Sequence, residues 1–147
     1  MSDIELARNA LAQGHTCAVA RGGRLLYAAE GIGVKPLLAA LDGSPADLKD
    51  SAVADTVVGK AAAVILVVGG AKTVHGEVMS RVAADYLNTH GVEYTSSRLV
   101  PNISNRTGDG ICPLEQSVAG IDDPNEGLGA LRERIKTLMA AKVAQTI

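Results

Sequence analysis

"SAVADTVVGKAAAVILVVGGA", residues 51–71, is the stretch whose conformation decides the fold. It is apolar along nearly all its length, so no half-buried alternation can be read from it. Its β-branched second half could be a buried strand that turns through Gly69 and Gly70 into "KTVHGEVM". Equally, the whole stretch could be one long buried helix ending at those glycines. Periodicity leaves both open.

The flanking segments are easier to read. Ser2 and Glu5 form a capping box ahead of Ile4, Ala7 and Leu11, which predicts a helix over residues 3–13 closed by Gly14. "TCAVA" and "RLLYAAE" read as two strands joined by a tight hairpin through Gly22 and Gly23, which supply the positive φ of such turns. Pro36 and Gly43 bracket a short helix from about Lys35 to Leu41, and "SPADLKD" is a polar connector. Beyond the central stretch, "TVHGEVM" is a strand and "SRVAADYLNTHG" a helix capped by Ser80 and stopped by Gly91. "VEYTSSRLV" is a further strand, closed by Pro101. "CPLEQSVAG" gives a short helix from Pro113, and Asp123 with Pro124 opens a final amphipathic helix to about Ala144. Strands alternating with helices imply a layered α/β domain.

The chain has 147 residues, the size of one domain, so residues 1–147 are expected to form a single unit. A hydrophobic share of 47% and a formal charge of −2 exclude disorder and binding to phosphate backbones by bulk charge. Three Tyr with no Phe or Trp leave no stacking platform for single-stranded bases, so no nucleic-acid partner is expected. The longest apolar run, Ala61–Val68, is far short of the ~20 residues of a membrane span, and the N-terminus lacks the pattern of a signal peptide. A cytoplasmic protein without a membrane partner is expected. Cys17 and Cys112 are then free thiols.

The phrases "GVKPLLAAL", "VADTVVGKAAAVILVVGGAKTVHGEVMS" and "LVPNISNRTGDGICPLEQSV" resemble the family called domain of unknown function 1893, over residues 3 to about 120. The most specific pieces are Val58, Gly59, Lys60 and Ala61, and the loop with Asn105, Arg106, Gly110, Cys112, Pro113 and Glu115. That resemblance implies a cytidine-deaminase-like fold, a three-layer α/β/α sandwich around a mixed sheet. It also implies one long helix from about Ser51 to Val68, followed by a strand. A zinc deaminase needs His or Cys two residues before a Glu, and a Pro-Cys-x-x-Cys pair at the next turn. Asp55, Thr56 and Val57 stand at the first place and Val78, Met79, Ser80 and Arg81 at the second. His75 and Glu77 copy the His-x-Glu spacing but fall on a strand with no cysteine pair downstream. No metal ligand set and no cofactor are therefore expected.

Chemistry concentrates in "NRTGDGICPLEQ", residues 105–116. Cys112 precedes Pro113 at the expected N-cap of a helix, where free amides and the helix dipole favour a thiolate nucleophile; the alternative is a small thiol filling space beside a turn. Arg106 offers a forked donor, and Gly108, Asp109 and Gly110 permit close backbone approach to an anion, although Gly-Asp-Gly is also ordinary turn chemistry. Asn105 and Glu115 complete the candidate binding set. Lys60, in an apolar setting, must reach an edge or a carboxylate, and Glu77 on the next strand is the expected partner. That pair either orients two elements or lines the cleft as catalytic groups. Asp55 is expected as a capping carboxylate near a helix start.

Two functions follow from this. One is a metal-free, deaminase-like cleft that binds an anionic or nucleotide-like small molecule, with Cys112, Lys60 and Glu77 as reacting groups. The other is a non-catalytic module in which the same residues brace a loop, with zinc deamination a distant third. Whether the protein is an enzyme stays open. The apolar central stretch and "LMAAKVAQ" would serve a homo-oligomer or an internal face equally well.

Overall fold

A computed structural model describes residues 1–105 and 107–146. In the deciding stretch, the first half is a strand and the second a helix. β3 (Ala52–Val58) is followed by Gly59 and then α4 (Lys60–Gly69). The long helix over 51–68 is thus not formed, and neither is a strand in the β-branched second half. Three alanines in the first turn favour helix, and Gly59 in extended backbone separates it from the strand. Val64 and Ile65, poor to moderate helix formers, are fully buried with Leu66, and a helix apolar on every side is one packed between layers. Gly70, at φ 82°, ends α4 in the left-handed conformation that a side chain would resist.

The remaining elements follow the sequence closely. α1 (Asp3–Ala12) starts where the Ser2 hydroxyl accepts from the Glu5 amide. β1 (Cys17–Arg21) and β2 (Arg24–Ala29) form the hairpin, and the Asp3 carboxylate accepts from both turn amides, Gly22 and Gly23. α2 (Lys35–Gly43) is followed by α3 (Pro45–Leu48), one turn of helix inside the expected connector. The Arg21 guanidinium donates to the Ala46 and Lys49 carbonyls and fixes that turn. Then come β4 (Thr73–Ser80), α5 (Arg81–Thr89), β5 (Glu93–Val100), α6 (Pro113–Val118) and α7 (Pro124–Thr146).

The five strands lie in the order β2-β1-β3-β4-β5. β1 is antiparallel to both neighbours, whereas β3, β4 and β5 are parallel, joined by the crossover helices α4 and α5. A mixed sheet flanked by helices makes a three-layer α/β/α sandwich. The two sides differ in their packing. α1 lies on alanines, its Ala7 and Ala10 meeting Ala18, Ala20 and Ala54. The other side holds the large aliphatic core, in which Val19, Val53 and Val74 meet Val64, Ile65, Leu66 and Leu87. Each such side chain stabilises by about 1.5–3 kcal/mol, so this side carries most of the burial energy. A bidentate pair from Arg132 to Asp42 ties α7 to α2.

Candidate functional site

Parallel strands with helical crossovers leave a crevice beyond their C-terminal ends, where ligands of open α/β sheets commonly sit. Here β3, β4 and β5 end next to Lys60, Ser80 and Asn102. These three line a cavity of about 120 Å³ together with Val82, Ile103, Ile111, Glu115, Gln116 and Ala119.

The floor of this cavity is the N-terminus of α4. Glu115, reaching back from α6, accepts from the Lys60 and Ala61 amides, both at 2.7 Å. These are two of the donors a helix start leaves unpaired, and short bonds to a carboxylate at the positive end of a helix are strong ones. Burial pushes the Glu115 carboxyl above its ordinary pKa, and the two amides and the Lys60 charge pull it back. Gly59 is part of the arrangement, because a Cβ there would fall on the Glu115 carboxylate.

Lys60 itself is 7% exposed. Among the described residues its ammonium makes no hydrogen bond or ion pair; it lies over the Tyr86 ring, 5.4 Å from the centroid. The Tyr86 hydroxyl is also buried without a hydrogen-bond partner. The side chain lines the cavity with no acidic partner in contact among the described residues, so an anion entering there would meet its ammonium.

The expected Lys60–Glu77 pair is not formed. Glu77 lies on the α1 side of the sheet, in a shallow surface depression with Glu5, Arg8 and Thr56, while Lys60 packs in the opposite layer. Glu77 instead accepts from the Ser97 hydroxyl and lies 3.6 Å from His75 Nε2. His75, 1% exposed, pairs through Nδ1 with Thr95 Oγ1 at 2.7 Å, and burial lowers its pKa. Asp55 is not a helix cap. It sits within β3 opposite Cys17, with one carboxylate oxygen unpaired, and burial raises its pKa to about 7. The Cys17 thiol is pushed up by the same burial and by Asp55.

Cys112 holds the expected N-cap position of α6 and is half-buried with a free thiol. Its backbone is engaged, the amide donating to the Ile103 carbonyl and the carbonyl accepting from Gln116. The preceding loop closes on itself. Ser104 bridges Ile111, the Asn105 amide donates to the Gly110 carbonyl, and the Asn105 side chain donates to Asp109. Thr107 donates to both Asn105 and Asp109, and these bonds lower the Asp109 pKa. Gly108 turns the loop at φ 76°. Arg106, expected to be the anion's forked donor, lies outside the described residues. Among the described residues no group of three or more His, Cys, Asp or Glu is placed to hold a metal ion.

Of the expected site residues, then, Lys60 and Glu115 meet at one cavity. Cys112 and the Asn105–Gly110 loop flank it in sequence, and Glu77 is elsewhere. Ser80, Asn102 and Gln116 line the cavity without having been singled out as site residues. For two of them the signal was positional, since Ser80 ends β4 and Asn102 follows closely on the end of β5.

The sequence profile of the family described as domain of unknown function (DUF1893), TM1506, matches residues 6–135, and the chain belongs to that family. Comparison with curated proteins gave no match. Among solved structures the chain is similar to a DUF1893 family protein (TM1506) from Thermotoga maritima, determined at 2.70 Å resolution. The identity is 26% and the TM-score 0.80, over 91% of this chain and 92% of that one. No helix among the described residues is long and apolar enough to cross a membrane.

Proposed function

We propose that the cavity at the mouth of α4 binds the anionic group of a small molecule, a phosphate or carboxylate, in competition with Glu115. The observation that carries this is Lys60, a largely buried lysine on the cavity wall whose ammonium has no hydrogen-bond acceptor among the described residues, beside two amides already holding a carboxylate. Buried polar groups are normally paired, and a group left unpaired at a concave surface is a natural place for a ligand. The volume suits a head group; a nucleotide-like body would extend over Asn102, Ile103 and Ile111 on the rim. Ser80, whose oxygen already accepts from the Ala83 amide, keeps its hydroxyl proton for such a ligand.

The competition gives this reading its test. Inorganic phosphate, titrated by calorimetry, should bind at least ten-fold more tightly to Glu115→Gln than to the parent chain, and at least ten-fold more weakly to Lys60→Met. Opposite signs at the two positions would distinguish a binding site from a purely structural clasp, for which neither variant would show saturable binding. Cys112 is not required. Its helix has fewer than two turns and a correspondingly small summed dipole, so a nucleophilic role there stands on thiol labelling alone. Zinc deamination would return only if purified protein carried stoichiometric zinc.

A further inference from the structure

β5 is an edge strand, and apart from the charged Glu93 and Arg98 it lacks the usual guards of one. Edges left open to solvent are normally shortened, bulged, interrupted by proline or covered, because their free N–H and C=O groups invite another chain. The opposite edge, β2, follows that rule. It is six residues long and its pairing with β1 is interrupted by a register shift at Val19/Ala20. β5 runs for eight residues in unbroken register with β4, and its first proline, Pro101, lies beyond the strand. Among the described residues no strand pairs with its outer edge. The α1 side of the sheet is also uncovered here, since α1 packs on β1, β2, β3 and β4. Leu99, on that side, is therefore left 42% exposed, and Tyr94, on the opposite face, is 37% exposed.

We infer that β5 pairs antiparallel with β5 of a second copy of this chain, about a two-fold axis through Ser96. An axis normal to the sheet keeps each face continuous, so facing residues must share a face, and the register must be centred on a residue. Thr95 and Ser97 lie on the α1 side, where they bond His75 and Glu77; Tyr94, Ser96 and Arg98 lie on the other. Centring on Ser96 sets Tyr94 opposite the Arg98 of the second copy, twice. It also sets Thr95 opposite Ser97 and Glu93 opposite Leu99. An exposed tyrosine across from an arginine is a favourable cross-strand pair, and no like charges oppose each other. Centring on Ser97 would bring Pro101 into the ladder, and centring on Thr95 would leave Val100 and Leu99 unpaired by strand. The dimer so formed has a continuous ten-stranded sheet and does not involve the cavity at α4.

Sedimentation equilibrium over a concentration series tests it, supported by cross-linking in a Cys112→Ser background. The expected result is a reversible species of twice the 15.1 kDa chain mass. Ser96→Lys, which sets two like charges at the axis, should weaken it at least ten-fold without changing the circular dichroism spectrum. Ser96→Cys should oxidise to a covalent dimer, because residues facing each other across an antiparallel pair have Cα atoms about 4.5–5.5 Å apart, within disulfide range. Tyr94→Cys should not, because its equivalents are four residues apart along the ladder, about 13 Å. A monomer at every concentration would overturn the inference. So would a dimer that ignores Ser96→Lys, or one that cross-links as well through position 94 as through 96.

Discussion

Two segments hold most of the polar groups of interest, and they treat them in opposite ways. From Asp55 to Ala61 the charges are buried and incompletely paired: Asp55 has a carboxylate oxygen without a partner, and Lys60 has an aromatic ring where an anion would fit. In the loop before α6 the Asn105, Thr107 and Asp109 side chains lie at the surface and bond to one another. Density of polar residues therefore misleads as a guide to chemistry. The free energy available for a ligand lies where burial has left a group unsatisfied, because water already satisfies the exposed ones.

The sharpest way to break this comparison is Glu115→Ala. It removes two charge-assisted bonds and a buried carboxylate that the Lys60 charge favours, and should lower unfolding stability by about 4 kcal/mol in urea titrations. A loss below about 1 kcal/mol would mean that the mouth of α4 is no more demanding than the exposed loop. Next in size is Asp55→Asn. The folded protein holds a proton on Asp55 up to about pH 7, whereas the unfolded chain releases it near its ordinary value of 3.8. The folded state therefore binds more protons between those values, and stability must fall as pH rises from about 4 to 7. The asparagine variant should match the parent near pH 4 and exceed it by roughly 4 kcal/mol at pH 8, by thermal or chemical unfolding. A parent chain with no such slope would place Asp55 in a wetter setting.

Lys60→Met should lower stability by no more than about 1 kcal/mol, since it loses the contact with Tyr86 and the charge that favours the Glu115 carboxylate but keeps the length of the side chain, while phosphate affinity falls at least ten-fold, about 1.4 kcal/mol. The smallest effect is expected in the second segment. Cys112→Ser should change stability by no more than about 0.5 kcal/mol, and Cys112 should react with a thiol reagent at neutral pH no faster than an ordinary accessible cysteine. Faster labelling would move the chemistry to α6.

Much of the fold was legible because local signals agreed. The Ser2–Glu5 and Ser80 caps, the Gly22–Gly23 hairpin and the Pro113 and Pro124 helix starts all appear where the sequence places them. Residues 51–71 resisted for a physical reason. Both halves are largely buried and apolar even where Val57 and the end of α4 reach the surface, so neither carries a polar face from which a period could be read, and β-branched residues that favour strands were accommodated in α4 by packing. Gly59 was the one local break, and it also serves Glu115. Of the site, Lys60 and Glu115 could be singled out, but not their meeting: 55 residues separate Lys60 from Glu115, and only the return of α6 to the end of β3 joins them. Glu77 was misplaced because the expected long helix put Lys60 next to the wrong strand face.

The central claim is that the mouth of α4 is an anion position for which Glu115 and a ligand compete. The most direct measurement follows the Lys60 and Ala61 backbone amides by NMR while inorganic phosphate is added to the parent chain and to Glu115→Gln. The account predicts saturable shifts of both amides, at least ten-fold lower half-saturation in the variant, and loss of saturation when Lys60→Met is added. Amides that stay unmoved in Glu115→Gln, in a protein that is folded, would contradict it.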